Sequence, residues 1–189
     1  MIIGIDEVGR GCWAGPLVAA AVGFETDLTV DGLTDSKLLS AKKRRALVVI
    51  IKNSTNSIGL GWVWPREINT LGLTESVRLA MQRAVDAIDL NNNQIVIDGS
   101  INYLAHIPNT EAIIKADGSI QAVSAASVIA KVARDEYMAK IAEKYPLYGF
   151  EKHVGYGTKQ HLAALREHGI LPIHRVHYKP IKQFVVDSQ

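Results

Sequence analysis

Four carboxylates stand where strand-like segments give way to loops. Residues 2–6 read IIGID and are followed at once by Glu7; residues 94–98 read QIVID and are followed by Gly99; residues 111–117 read EAIIKAD and are followed by Gly118. Each short apolar run predicts a buried strand. Sites in open α/β sheets gather where strands end and loops begin, so Asp6, Glu7, Asp98 and Asp117 could share one rim. Carboxylates held that close cannot all stay ionised without a counter-ion. An all-oxygen set suits a hard cation such as Mg²⁺ or Mn²⁺. Two such ions, roughly 4 Å apart, are a known device for in-line displacement at phosphorus. The competing reading is that Asp-Gly is ordinary turn chemistry. There is also a geometric difficulty, because adjacent strand residues point to opposite faces. Asp6 and Glu7 share a site only if the strand ends or bends there, and Gly9 and Gly11 make a bend plausible.

Other polar residues are placed to meet a ligand. Arg10 lies between Gly9 and Gly11, and glycines allow backbone to approach a ligand closely. Lys37 lies in a loop before a helix, where its ammonium would suit a phosphate; a solvent-facing lysine is the plainer alternative. Ser124, Lys131 and Asp135 fall on one line of an otherwise apolar, small-residue helix. Tyr156, between Gly155 and Gly157, could present its ring for stacking on a sugar or base. The run Lys42-Lys43-Arg44-Arg45 reads as a solvated helix face.

The elements needed to position these residues follow from periodicity. Strands are expected over 2–6, 17–24, 57–64, 94–98 and 111–116, the third stopped by Pro65. Ser40 could cap a helix over about 41–52, and Thr74 one running to about Asp89. A long helix is expected over about 120–144, stopped near Pro146. Thr158 could cap a last one, ended by Gly169. This order predicts an α/β fold with a mixed sheet of about five strands flanked by helices and a C-terminal helical segment. One domain over 1–189 is expected, with residues from about 145 forming a C-terminal extension that contacts substrate.

Composition bounds the rest. Of 189 residues, 48% are hydrophobic and 21% charged, an ordinary globular balance. No apolar run approaches the roughly 20 residues of a membrane span, and the N-terminus does not read as a signal peptide. Cys12 is the one cysteine, which excludes an internal disulfide; a cytoplasmic protein is the simplest expectation. Net charge is only +2, but it is unevenly spread. Residues 1–130 carry 11 basic and 13 acidic side chains, residues 131–189 carry 10 and 6, and five of the six histidines lie in the latter. The C-terminal third could face a polyanion.

Taken in order, GIDEVGRG at 4–11, DSK at 35–37, IDG at 97–99, KADG at 115–118, SAASVIAKVARD at 124–135 and HVGYGT at 153–158 closely resemble the ribonuclease HII family. The match covers nearly the whole chain, to about Pro180. The resemblance implies a ribonuclease H-like fold. It also implies endonucleolytic hydrolysis of the RNA strand of RNA–DNA hybrids, including cutting on the 5′ side of ribonucleotides embedded in duplex DNA. Mg²⁺ or Mn²⁺ would serve as cofactor, with two ions when substrate is bound, and the products would carry 3′-hydroxyl and 5′-phosphate ends. Residue by residue, it implies that Asp6, Glu7, Asp98 and Asp117 bind metal. Gly9, Arg10 and Gly11 would contact the ribonucleotide's 2′-OH, and Tyr156 would stack near the RNA–DNA junction. Lys37, Ser124 and Ser127 would lie near substrate phosphates, and Asp135 close to the site with no assigned role. A monomer with no membrane association is expected. Ribonuclease HIII is disfavoured by Arg10, where that family has lysine, and by the absence of an N-terminal domain ahead of residue 2. A DNA junction nuclease of the same fold is disfavoured by Gly9-Arg10-Gly11 and Tyr156. A nucleic-acid-binding module that has lost catalysis is disfavoured by the presence of all four carboxylates.

Overall fold

The computed structural model describes residues 1–26, 28–34 and 36–185. Asp35 of the DSK motif and the end of the C-terminal tail, residues 186–189, lie outside the described residues.

Among the described residues, five strands form one mixed sheet. They are β1 (Ile2–Val8), β2 (Leu17–Phe24), β3 (Ile58–Val63), β4 (Gln94–Asp98) and β5 (Thr110–Ile113), in the spatial order β3-β2-β1-β4-β5. The first three strands are a meander: β1 pairs antiparallel with β2, and β2 with β3. β4 and β5 join in parallel on the other side of β1. Parallel neighbours need a crossover; helices lie in the connection from β1 to β4, whereas residues 99–109, which join β4 to β5, contain turns and no helix. The helices are α1 (Ala41–Ser54), α2 (Pro65–Leu71), α3 (Leu73–Val85), α4 (Gln121–Lys144), α5 (Phe150–His153), α6 (Lys159–His168) and α7 (Lys179–Val185).

The pleat divides the core in two. Ile3, Ile5, Ala19 and Ala21 face α3, meeting Val77, Met81 and Ala84. Ala20, Val22 and Phe24 face α4 and α1, meeting Ala122, Ala125, Ile129 and Leu47. Every residue of β2 is therefore buried, which explains why it reads as a continuous apolar run rather than an alternating one. Helix α4 lies unusually close to the sheet, because a Cβ at Gly4 would collide with the backbone of Ala122 and Val123. That close approach brings the first turns of α4 up against the end of β1.

The expected five-strand sheet and long helix are present, with several boundaries shifted. β2 and β4 fall on 17–24 and 94–98, as their apolar runs predict. β1 continues through Glu7 to Val8. β5 stops at Ile113, since Lys115 takes a left-handed φ of 60°, which a continuing strand cannot accommodate. Pro65 opens α2 instead of merely stopping β3, as its fixed φ suits a first helical position. Thr74 is not a cap; α3 starts at Leu73 after Gly72. Ser40 and Thr158 do cap, accepting from the backbone N–H of Lys43 and His161. Arg44 is not solvated: it donates to the carbonyls of Ser36 and Leu39 and lies 3.7 Å from Asp135.

Candidate active site

β1 and β4 run parallel, and both end at the same edge of the sheet. Asp6 lies on the pleat that faces α4, along with Gly4, and Asp98 lies on the matching pleat of β4. Asp117 arrives from the short 3₁₀ turn after β5, just ahead of α4. Carboxylate oxygens of Asp6, Asp98 and Asp117 come within 4.8 Å of one another. Only β4 actually ends on its aspartate. Asp6 is inside a strand and Asp117 sits beyond one, so three strand-terminal aspartates is a description the structure corrects.

Glu7 is on the opposite pleat and is not one of that trio, as alternation requires. Its carboxylate lies 3.6 Å from the Arg10 guanidinium. It remains close enough to Asp98 and Lys37 for both to act on its charge. The strand does not end between Asp6 and Glu7, so the two acids reach the same edge from two faces.

The electrostatics are those of a cluster of buried and half-buried carboxylates with Lys37 and Arg10 at its margin. Burial, with the Glu7 and Asp98 charges, pushes the Asp6 carboxyl up from 3.8 to about 8, against a hydrogen bond from Ser127. Burial also raises Glu7, offset in part by Arg10. Asp98 Oδ1 is buried and has no hydrogen-bond partner among the described residues. An unpartnered, buried carboxylate oxygen facing two further carboxylates is a donor set that fits a hard cation.

The supporting residues face inward. Ser124 is buried and donates to the backbone carbonyl of Asp117 at 2.7 Å. Ser127 is buried and shares a 2.8 Å hydrogen bond with Ser36. Both therefore act on the carboxylates from behind. Lys37 is exposed, with its Nζ 3.8 Å from Asp117. Asp135 pairs with Lys131 at 2.8 Å and with Arg44.

The loop after β1 is braced to the C-terminal segment. Gly9 has φ +90°, and a Cβ there would strike the Arg134 side chain. Gly11 differs, because a Cβ there would meet nothing within 4 Å. Cys12 and Tyr156 form an isolated antiparallel bridge, and the Trp13 N–H donates to the carbonyl of Gly155 at 2.8 Å. Tyr156 is 39% exposed, and its ring lies 5.9 Å from the Arg134 guanidinium carbon. The structure thus joins the glycine loop and the tyrosine, far apart in sequence, into one surface beside the carboxylates.

Two residues that build this surface escape sequence reasoning. Arg134 and Arg175 are fully buried. Arg134 donates to the carbonyls of Pro16, Val154 and Ala14. Arg175 donates to the carbonyls of Gly15 and Arg10 and to Tyr178 Oη. Each planar guanidinium gathers several loop carbonyls as acceptors. Arg134 sits one residue before Asp135, within the SAASVIAKVARD stretch, but apolar periodicity carries no signal for a buried cation.

The comparisons with known proteins agree with this geometry. The family model described as Ribonuclease HII matches residues 3–181. Ribonuclease HII of Neisseria meningitidis is 46% identical over 186 residues, covering 98% of this chain and 95% of that protein. Among solved structures, the ribonuclease H2 of Pyrococcus horikoshii superposes with a TM-score of 0.83 at 24% identity, covering 98% and 97% of the two chains. Bst ribonuclease HIII in complex with Mn²⁺ gives 0.74 at 19% identity, covering 100% of this chain and 70% of that one; at these identities the likeness is one of fold. The chain belongs to the ribonuclease HII family, and is a metal-dependent endoribonuclease of the ribonuclease H type.

Proposed function

We propose that this enzyme hydrolyses the RNA strand of RNA–DNA hybrids and cuts on the 5′ side of single ribonucleotides embedded in duplex DNA, leaving 3′-hydroxyl and 5′-phosphate ends. The observation that carries this reading is the continuity between the Asp6–Asp98–Asp117 cluster, the Gly9–Gly11 loop and Tyr156. Phosphate chemistry and ribose recognition would then occupy one surface.

Asp6, Asp98 and Asp117, with Glu7 at the neighbouring position, are the residues that would hold Mg²⁺ or Mn²⁺. Two such ions would activate water and stabilise the leaving 3′-oxygen. A manganese complex of a protein sharing the fold supports the choice of ion. The chain's own residues do the positioning. Ser127 hydrogen-bonds Asp6, and Ser124 fixes the backbone of Asp117. Lys37 stands over Asp117 with an exposed ammonium suited to a substrate phosphate. Ser124 and Ser127, expected near substrate phosphates, also brace the carboxylates through these bonds.

The glycine loop reads the sugar. Gly11 has open space where a Cβ would stand, which leaves room for a ligand to approach the backbone. Backbone groups of Gly9, Arg10 and Gly11 hydrogen-bond the 2′-OH, which is what distinguishes RNA from DNA at one position. Deoxyribose would remove that partner from the loop groups not already bonded within the protein, as the Arg10 carbonyl is. Tyr156 stacks beside the junction, with Arg134 behind its ring. The extension from about residue 145 takes part because it supplies Tyr156 and Arg175, the second of which holds the Arg10 carbonyl.

The test is cleavage of three duplexes, carrying a long RNA strand, one ribonucleotide or DNA alone, each with Mg²⁺, Mn²⁺ or EDTA. Metal-dependent cutting of the first two and not the third is expected. Metal-dependent cutting of the all-DNA duplex would overturn the assignment of substrate.

A further inference from the structure

Three buried histidines lie beneath Tyr156 and take no part in the hydrolytic chemistry. His153, His161 and His174 are all buried, and come from α5, α6 and the segment before α7. The rings of His153 and His161 stack with centroids 4.6 Å apart, and those of Trp13 and Phe150 lie against His161 at 5.4 Å. No metal-ligating arrangement results, because the ring nitrogens are already taken by one another and by backbone.

The donors fix the tautomers. The Leu171 N–H points at His174 Nδ1 at 2.7 Å, and the carbonyl of the same residue is farther, at 3.2 Å. His174 therefore carries its proton on Nε2. That nitrogen is 3.0 Å from His161 Nε2, which must accept. The proton of His161 then sits on Nδ1, 3.0 Å from the carbonyl oxygen of Tyr156. Beside this chain, the Gly155 N–H donates to His153 Nδ1, and His153 Nε2 donates to the carbonyl of Tyr148. Every donor meets an acceptor only when all three rings are neutral.

We infer that His161, oriented by His174, is a positioning residue that sets Tyr156 for the RNA–DNA junction by donating to its backbone carbonyl. The inference rests on the junction-stacking role proposed for Tyr156. The carbonyl of Tyr156 also accepts from the Thr158 N–H at 3.0 Å, and its N–H donates to the carbonyl of His153 at 2.8 Å. Glycines flank Tyr156, and Gly155 has φ +88°, so a permissive stretch of chain is fixed by these bonds together with the Cys12–Tyr156 bridge and the Trp13 N–H bond to the Gly155 carbonyl. Burial drives His161 and His174 from 6.5 down to about 4, in keeping with a relay that works as neutral rings.

The experiment uses the full chain and measures kcat and KM on duplex DNA with one ribonucleotide and on a long RNA–DNA hybrid. Tyr156→Ala is the reference. His161→Phe keeps the stacking and removes the donor, whereas His161→Asn places an amide N–H near the Nδ1 position. His161→Phe should lose about five- to tenfold in kcat/KM on the single ribonucleotide, the scale of one lost hydrogen bond at a positioned group. It should lose much less on the hybrid, following Tyr156→Ala, and His161→Asn should recover most of the loss. Equal losses on both substrates, or no recovery in His161→Asn, would overturn the inference while leaving a selective Tyr156→Ala defect intact. An unselective Tyr156→Ala would instead overturn the reading of Tyr156 itself.

If His161→Phe does not fold, ¹⁵N spectra of the wild-type histidines decide the matter. A protonated Nδ1 on His161 with a protonated Nε2 on His174 is expected at neutral pH. The opposite tautomers, or a cationic ring, would contradict the relay.

Discussion

Arg175, fully buried, donates from Nη1 to the backbone carbonyl of Arg10 at 3.1 Å, so that the loop carrying the central cation of Gly9-Arg10-Gly11 is held by a second arginine 165 residues away. The same guanidinium donates twice to Gly15 and once to Tyr178, whose hydroxyl in turn donates to the Arg10 carbonyl at 2.8 Å. The ammonium of lysine is a compact group and cannot reproduce this planar fork. Arg175→Lys should therefore cost about 2–4 kcal/mol, the scale of several buried acceptors left without partners. Urea unfolding would measure the loss. It should be accompanied by weaker discrimination between a ribonucleotide and a deoxyribonucleotide, because the loop is freed on its inner side.

How much of this is legible in the sequence depends on what each residue does. β2 and β4 are readable to their true limits because an apolar run bounded by polar residues is a local signal. Asp6, Asp98 and Asp117 are visible because each closes or follows such a run. The alternation of a strand makes Glu7 a difficulty from the start, and its place on the other pleat resolves it only in three dimensions. Arg134 and Arg175 are not legible. A buried cation satisfied by carbonyls is a tertiary fact, and nothing in the spacing of Arg175 distinguishes it from a surface arginine. The histidine relay leaves a weak trace, since five of six histidines crowd the last third of the chain. α2 escapes because Pro65 reads as a stop for β3, although proline also starts helices.

Asp6→Asn removes one anionic ligand from the trio. Cleavage should fall by about a hundred- to a thousandfold, the scale of one lost electrostatic stabiliser of the reacting phosphate. The fold should survive, since the amide is isosteric. Circular dichroism and a hybrid cleavage assay on the same preparation would check both parts.

The charge on Asp6 also sets how metal-free stability depends on pH. Its carboxyl is raised on folding, from 3.8 to about 8. A raised carboxyl contributes stability below its unfolded value and loses that contribution as pH rises through the folded one. Between about pH 4 and pH 8 the metal-free wild type should lose stability relative to Asp6→Asn. Thermal unfolding of both proteins in EDTA across that range would show the curves diverging as pH rises.

Divalent metal should reverse that trend. Protons compete with metal for the same carboxylates, so Mg²⁺ or Mn²⁺ should raise Tm more at pH 8 than at pH 6. Binding to the folded state alone stabilises by mass action, about 2.7 kcal/mol at a hundred times Kd. Differential scanning fluorimetry with and without metal tests this. A Tm shift independent of pH would separate the metal from the Asp6 cluster.

The histidines act with the opposite sign. Burial lowers His161 and His174 to about 4, so the unfolded chain binds more protons than the folded one between pH 4 and 6.5. Their contribution to stability is whole above about 6.5 and is lost as pH falls toward 4. Each can steepen that loss by at most about 1.4 kcal/mol per pH unit. Replacing His174 with Gln, which cannot titrate, should flatten the acid side of the stability curve, read from urea midpoints between pH 4.5 and 7.

Recognition of one ribose by the loop beside the carboxylates is what the proposed function depends on. It is probed by duplexes differing only in the 2′-substituent of a single nucleotide, with the cut position mapped by end-labelling in Mg²⁺. A site that hydrogen-bonds a hydroxyl rejects the analogue lacking it by about 10⁴-fold or more. A single cut on the 5′ side of the ribonucleotide is expected, and none at that position in the deoxyribonucleotide duplex. Cleavage of both duplexes at similar rates, or a cut elsewhere, would contradict ribose recognition by this loop.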